Sequence, residues 1–234
     1  MGLNGILVDL EAKRLARAAR ARTALAVGMR NSRSDRNEHG PALWFFDRRL
    51  PETAPERNWA GVNGDYVFRP AAAADIAAMR AAEQRAGEVF RSIGYDFCAD
   101  GQNREVEEHE RVIAAGVTYV ALPPSGEIAG FAMFEPMDGE VHLVEIDVVP
   151  EFQKKGLARR LISLGEKWAL AKGFDAMTLT TYRDVAWNAP FYRRLGFIDL
   201  EPGPGRKGLL ETIAKEAAWG FAFRPRIAMR KHLL

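Results

Sequence analysis

The chain has 234 residues, 47% of them hydrophobic and 27% charged, with a formal net charge of +2. That is enough apolar material for one ordinary globular domain plus an extension, and so balanced a charge argues against a nucleic-acid-wide electrostatic footprint. A single cysteine, Cys98, excludes an intramolecular disulfide and a cysteine-cluster metal site; no apolar run is long enough to span a membrane and no signal-peptide pattern is visible, so a cytoplasmic setting is the default expectation.

Residues 1–65 read as a basic N-terminal extension, partly disordered or peripheral. Lys13, Arg14, Arg17, Arg20 and Arg22 crowd an alanine-rich stretch, residues 31–37 are polar without periodicity, and Pro41, Pro51 and Pro55 break up an aromatic patch, Trp44-Phe45-Phe46, expected to pack on the body. The domain proper is expected over residues 66–234. Tyr66-Val67-Phe68-Arg69 is a short strand stopped by Pro70. Asp75 is a plausible helix cap ahead of Ile76, Met79, Ala86, Val89 and Phe90 at helical spacing, with Gly94 ending that segment. A second helix is expected from Asn103 to Ala115, then strands over Val117–Leu122 and Ile128–Phe134.

The most informative stretch follows. His142-Leu143-Val144-Glu145-Ile146-Asp147-Val148-Val149 is rich in β-branched residues and stopped by Pro150, so it reads as a strand. Beyond it, Leu157, Leu161, Leu164 and Trp168 recur at helical spacing. Between them lies a tight loop with Gly156, whose missing side chain permits unusual backbone angles. The first N–H groups of the new helix lack internal partners and point into that loop. With the helix dipole and Lys154, Lys155 and Arg159 they make a seat for an anion. Neither a Walker loop nor a G-x-G-x-x-G turn is present. Downstream, Asp175–Thr181 is a strand, Ala189–Leu195 a short helix, Gly196-Phe197 leads into another strand, Leu209–Ala218 is a helix and Arg226–Met229 a last strand. The fold class expected is mixed α/β: one central mixed sheet of about six to seven strands with helices on both faces.

The run Val148-Val149-Pro150-Glu151-Phe152-Gln153-Lys154-Lys155-Gly156-Leu157-Ala158 resembles the pyrophosphate loop of the GNAT superfamily of acyl-CoA-dependent N-acetyltransferases. Asn188-Ala189-Pro190-Phe191-Tyr192-Arg193-Arg194-Leu195-Gly196-Phe197 resembles that family's N-x-x-F-Y-x-x-L-G-F segment. The preceding residues 182–187 resemble a bacterial subgroup. The likeness covers residues 66 to the C-terminus and excludes the first 65. It implies acetyl-CoA as cosubstrate, held by Gln153, Lys154, Lys155, Gly156, Leu157, Ala158 and Arg159 at the pyrophosphate. The backbone of Val148 and Val149 and the side chain of Asn188 would hold the pantetheine arm. The family more often has glycine where Ala158 stands. Tyr192 would protonate the leaving thiolate, a phenol with pKa near about 10 facing a thiol near about 8.5.

An acceptor amine with pKa about 10.4 is only about one part in 2,500 neutral at pH 7, a cost of roughly 4.6 kcal/mol, so a base is required. The fourth strand offers His142, Glu145 and Asp147; strict alternation puts Glu145 and Asp147 on one face and His142 on the other, unless a bulge intervenes. Glu145 is preferred, with His142 second. Glu83, Glu105, Glu107, Glu108 and Glu110 sit on the first two helices, where they could attract a cation or simply face solvent. The expected activity is transfer of acetyl from acetyl-CoA to a primary amine, on a small molecule or a peptide, by direct attack in a ternary complex. No metal and no covalent intermediate are implied, and Cys98 lacks a local histidine. The alternative is a non-catalytic acyl-CoA-binding module with a basic interaction arm, and a third reading uses that arm on nucleic acid. The identity of the acceptor stays open, and a homodimer is one state the fold allows.

Overall fold

The structure is a computed structural model, describing residues 66–100, 103–218 and 225–233. All of them lie in a compact unit running from Pro55 to Leu234. The expectations for residues 1–65, including the packing of Trp44-Phe45-Phe46, fall outside the described residues.

The strands are β1 (Val67–Pro70), β2 (Val117–Leu122), β3 (Gly130–Met137), β4 (Glu140–Val148), β5 (Ala176–Tyr182), β6 (Ile198–Leu200) and β7 (Arg226–His232). The helices are α1 (Ile76–Gly87), the single turn α2 (Asp96–Ala99), α3 (Val106–Ala115), α4 (Leu157–Ala171), α5 (Ala189–Arg194) and α6 (Lys207–Ala218). One seven-stranded sheet runs in the order β1-β2-β3-β4-β5-β7-β6. Every neighbouring pair is antiparallel except β4 and β5. The helix expected to reach Gly94 keeps its end but tightens after Gly87 into a 3-10 segment, Glu88–Ile93, which Gly94 closes in a left-handed conformation.

Helices cover both faces. Leu157, Leu161, Ile162 and Ala169 of α4 bury against Phe134, Leu143 and Leu179, and α5 adds Ala189 and Tyr192 to the same cluster. Met79 and Ala82 of α1 and Val112 of α3 bury against Val120, Phe131 and Met133 on the opposite face. On that second face α6 lies over β5 and β7, where Glu216 accepts a hydrogen bond from Thr180 Oγ1 at 2.5 Å and pairs with Arg226 at 2.7 Å. The Asp138 carboxylate, in the β3–β4 turn, caps α6 by accepting from the Gly208 and Leu209 N–H groups, each at 2.9 Å.

Gly165 explains how α4 approaches the sheet so closely. A Cβ there would sit 2.3 Å from the ring of Phe134, which is fully buried. Alanine is about 1 kcal/mol better than glycine inside a helix, but overpacking a fixed core costs about 1–3 kcal/mol. Gly165→Ala is therefore expected to lower the denaturation midpoint in urea, and an unchanged or raised midpoint would show that Phe134 can move aside.

Candidate active site

At the head of α4 the anion seat is built as its sequence requires. Gly156 takes φ 78°, ψ 5°, the left-handed region, as the N-cap of α4, and Lys154 is also left-handed with φ 60°. Two such residues so close together fold the loop back on itself. The helical ladder begins only where the Arg160 N–H reaches the Gly156 carbonyl at 3.1 Å, so the N–H groups of Leu157, Ala158 and Arg159 have no acceptor within the helix. Lys154, Lys155 and Arg159 are exposed around this end. Lys155 lies 3.4 Å from the Tyr66 hydroxyl and 5.1 Å from the centre of the Phe152 ring. Gln153 donates its side-chain amide to the Val148 carbonyl at 3.0 Å and so ties the loop to the strand end.

Beside this loop the sheet opens. β4 and β5 pair only over Val141–Leu143 against Met177–Leu179, after which β5 continues with β7 and leaves the second half of β4 without a partner on that side. The Val149 N–H donates to the carbonyl of Ala129, the residue just before β3, at 2.9 Å. Alternation along the strand then turns the Ile146 and Val148 amides away from β3, into the opening. The two valines expected to act together thus divide: Val148 faces the gap, and the N–H of Val149 is used within the sheet. Asn188 is the N-cap residue of α5, yet its side chain makes no capping bond. One turn on, Tyr192 is 8% exposed and packs edge-on to Phe191 and Phe197. Burial, then the negative charges of Glu145 and Asp147, raise its phenol well above the ordinary value, against the pull of Arg226.

The carboxylate side contains a correction to strict alternation. Met133 pairs with Glu145 but Phe134 pairs with Leu143, so Val144 is an extra residue, a β-bulge. Paired residues share a face. Glu145 therefore lies with Met133, Asp147 with Phe131 and His142 with Glu135, all on the face covered by α1 and α3. The bulge rotates Glu145 and Asp147 onto the face of His142. The carbonyl of Val144 accepts from Arg104 Nη2 at 3.0 Å, while Arg104 Nε donates to Glu145 at 2.8 Å and Nη1 to Glu108 at 2.5 Å. The Arg104 N–H reaches Glu83 Oε1 at 3.0 Å. Asp147 differs from its neighbour: its Oδ2 is buried with no hydrogen-bond partner. Burial first, then the charges of Glu145 and Glu83, push its carboxyl well above the usual range, opposed by Arg104. His142 is 2% exposed with Nδ1 3.1 Å from Thr178 Oγ1. Burial and then Arg104 depress it to about 4, with Asp138 opposing. Its imidazole is neutral at neutral pH, held inside the sheet layer and too weak a base to take a proton from an amine.

The chain matches the family model described as Acetyltransferase (GNAT) family over residues 78–197, about half its length and the part that carries both the loop and Tyr192. The chain belongs to the GNAT acetyltransferase family. Solved GNAT structures share its fold. The paiA N-acetyltransferase of Thermoplasma acidophilum, determined with coenzyme A, aligns at TM-score 0.53 with 15% identity over 72% of this chain and 99% of that one. A GNAT-family acetyltransferase of Staphylococcus aureus aligns at 0.55 with 12% identity over 73% and 100%. A GCN5-related N-acetyltransferase of Rhodopseudomonas palustris aligns at 0.54 with 20% identity over 74% and 98%. GNAT acetyltransferases take the acetyl group from acetyl-CoA, and this chain is an acyltransferase of that kind.

Within the GNAT fold the structure brings Tyr192, Glu145 and Asp147 into electrostatic reach of one another and places Val148 at the neighbouring gap. His142 shares the face of Glu145 and Asp147 but is enclosed beside Thr178. Arg104 and His109 were missed by sequence reasoning. Arg104 reaches Glu145 across 41 positions and Val144 across 40, and no local pattern announces such a pairing. Among the described residues no cluster of three or more His, Cys, Asp or Glu could hold a metal, and no helix is long and apolar enough to cross a membrane.

Proposed function

We propose that the chain transfers the acetyl group of acetyl-CoA to a primary amine by direct attack in a ternary complex. The observation that carries this reading is the gap between β4 and β5, with the α4 loop beside it, Tyr192 near it, and Asp147 and Glu145 on the α1/α3 face. The pyrophosphate would sit on the N–H groups of Leu157, Ala158 and Arg159, with Lys154 and Lys155 adding charge. The pantetheine arm would lie along the open side of β4 as an added strand would, against Ile146 and Val148, with the Asn188 amide reaching it. That course delivers the thioester from the α4 face of the sheet to the α1/α3 face.

On that face we assign the base to Asp147 rather than Glu145. A raised carboxyl lies closer to the working pH and its Oδ2 is uncommitted, whereas Glu145 is engaged by Arg104. Asp147 accepts the ammonium proton, the neutral nitrogen attacks the thioester carbon, and the C–S bond breaks as the tetrahedral intermediate collapses. The thiolate takes its proton from Tyr192, and the second proton that the attacking nitrogen sheds as the amide forms returns the phenolate to phenol. Burial first, then Glu145 and Asp147, raise the phenol, so it is protonated at any working pH and the donor form is the one present. The Cys98 thiol is raised by burial and bonded to Tyr182 at 3.2 Å, which fits attack without an acyl-cysteine.

The test is acetyl-CoA calorimetry on the full chain followed by thiol release over a panel of amines. Binding with release for some amine class supports the reading; binding without release from any amine turns it toward a non-catalytic acyl-CoA module. Tyr192→Phe is expected to lower kcat by about 10²-fold with acetyl-CoA affinity nearly unchanged, and an unaltered kcat would remove Tyr192 from the chemistry.

A further inference from the structure

The bulge in β4 leaves a backbone group with no strand to bond to. Val144 has no partner in the register with β3, and pairing with β5 stops one residue earlier, at Leu143. A main-chain carbonyl withdrawn from water needs a donor. Here the donor is a side chain, Arg104 Nη2 at 3.0 Å. Arg104 thus stands where a neighbouring strand would.

Every other polar group of Arg104 is committed to the same task. Nε donates to Glu145 at 2.8 Å and Nη1 to Glu108 at 2.5 Å, so each nitrogen of the fork has its own acceptor, on β4 or on α3. Its main chain is tied to α1. The Arg104 N–H donates to Glu83 at 3.0 Å and its carbonyl accepts from Arg80 Nε at 2.9 Å. The Asn103 side-chain amide donates to the Arg80 carbonyl at 2.7 Å. With both main-chain groups and all three side-chain nitrogens engaged, the guanidinium has one direction to point, and that direction is the bulge. A lysine would bring the charge without the fork.

The bulge decides where the base lies. Side chains alternate along a strand, so one extra residue sends those beyond it to the other face. The extra residue at Val144 puts Asp147 with Phe131 on the α1/α3 face. Arg104 also occupies Glu145, while Asp147 Oδ2 stays uncommitted.

We propose that Arg104 is a positioning residue of the transferase: it takes the place of the missing strand at Val144, holds the bulge, and so fixes Asp147 rather than Glu145 as the base. This rests on the acetyltransferase reading above and deepens it. Around Asp147 stand Glu83 from α1, Glu108 and His109 from α3, His142 and Glu145 on β4, Tyr192 from α5, and Arg104. Arg104 is the cation that opposes the rise of the Asp147 carboxyl. Its removal therefore moves that carboxyl further up, and the limb of kcat that needs ionised Asp147 moves to higher pH with it.

The experiment uses the full chain, with thiol release from acetyl-CoA and the amine that the panel selects. Arg104→Ala is expected to lower kcat at neutral pH by about 10–100-fold, the scale for a displaced reacting group. The acetyl-CoA KM stays nearly constant, the pH limb moves up by about one unit, and millimolar guanidinium restores part of the rate. Arg104→Lys keeps the charge and loses the fork, so its limb stays near that of the unmodified protein while kcat falls. Unchanged kcat in either variant overturns the proposal. So does a loss in Arg104→Ala that guanidinium does not restore and that leaves the pH limb in place, since that is a merely structural loss. If Arg104→Ala does not fold, Arg104→Lys decides by its kcat. A second readout needs no turnover: the Asp147 carboxyl carbon, titrated by NMR, is expected to ionise at higher pH in Arg104→Ala and to return with guanidinium. That shift in a protein that releases no thiol with any amine upholds the hold of Arg104 on Asp147 and overturns the transfer reading instead. An unmoved titration overturns the proposal and leaves acetyl transfer standing wherever thiol is released.

Discussion

Asp147→Asn is expected to reduce kcat by about 10²–10⁴-fold, the range for removing a positioned general base, while acetyl-CoA affinity stays nearly constant because the side chain points to the α1/α3 face and not to the loop. The pH profile separates this role from a structural one. In the unaltered protein Asp147 must be ionised to accept a proton, so kcat rises as pH increases through its raised value, and the asparagine variant loses that limb. Stability moves the other way. A carboxyl raised by folding contributes its full share below its unfolded value, near about 3.9, and the fold loses that share as pH rises through the native value. Asparagine removes a buried charge facing Glu145 and Glu83, so the variant is expected to melt higher above neutrality, by about 2–4 °C for each kcal/mol gained. A variant that is inactive, less stable and unchanged in pH profile would make Asp147 a structural residue. Glu145→Gln, which leaves the Asp147 oxygen in place, is expected to have the smaller effect on kcat.

What could be read from the amino-acid sequence follows from which forces act locally. The α4 loop was legible because its parts adjoin along the chain: β-branched residues stopped by Pro150, a glycine with a left-handed conformation, and an apolar stripe from Leu157. The order of elements was legible for the same reason, since strand and helix periods are local. The choice of base was not. Alternation along residues 142–147 separates Glu145 from His142, and one extra residue at Val144 reverses that. The bulge is held by Arg104, whose guanidinium takes the displaced carbonyl, and a partner 40 positions away leaves no periodic trace. The unpartnered His109 was hidden similarly, because a histidine within Glu107-Glu108-His109-Glu110 reads as part of a solvated acidic run until α3 is docked and His109 proves to face inward. Helix α6 was expected as an element, but its place over β5 and β7 depends on Asp138 capping it from 70 positions away. The bulge and the α6 cap rest on polar contacts far apart along the chain, and the inward facing of His109 rests on how α3 docks; none of these has a local signature.

Gly156→Glu is expected to abolish acetyl-CoA binding. The position has φ 78°, where a side chain costs about 1–2 kcal/mol of backbone strain, and a carboxylate there would stand at the helix N-terminus that the pyrophosphate would occupy. Substitution thus does three things together: it shifts the loop, fills the approach to the Leu157, Ala158 and Arg159 N–H groups, and sets a negative charge against another. Losing two or three charge-assisted hydrogen bonds at about 1.5 kcal/mol or more each corresponds to about 10²–10³-fold in affinity or beyond. Gly156→Ala isolates the first effect, with strain but no charge and little bulk, and is expected to weaken binding far less. The difference between the two variants therefore measures anion recognition apart from loop geometry. The thermal midpoint of each variant without acetyl-CoA is the control for folding. If Gly156→Glu binds acetyl-CoA as tightly as the unaltered protein, the phosphate does not sit on α4, and the course drawn for the pantetheine arm through the β4–β5 gap falls with it.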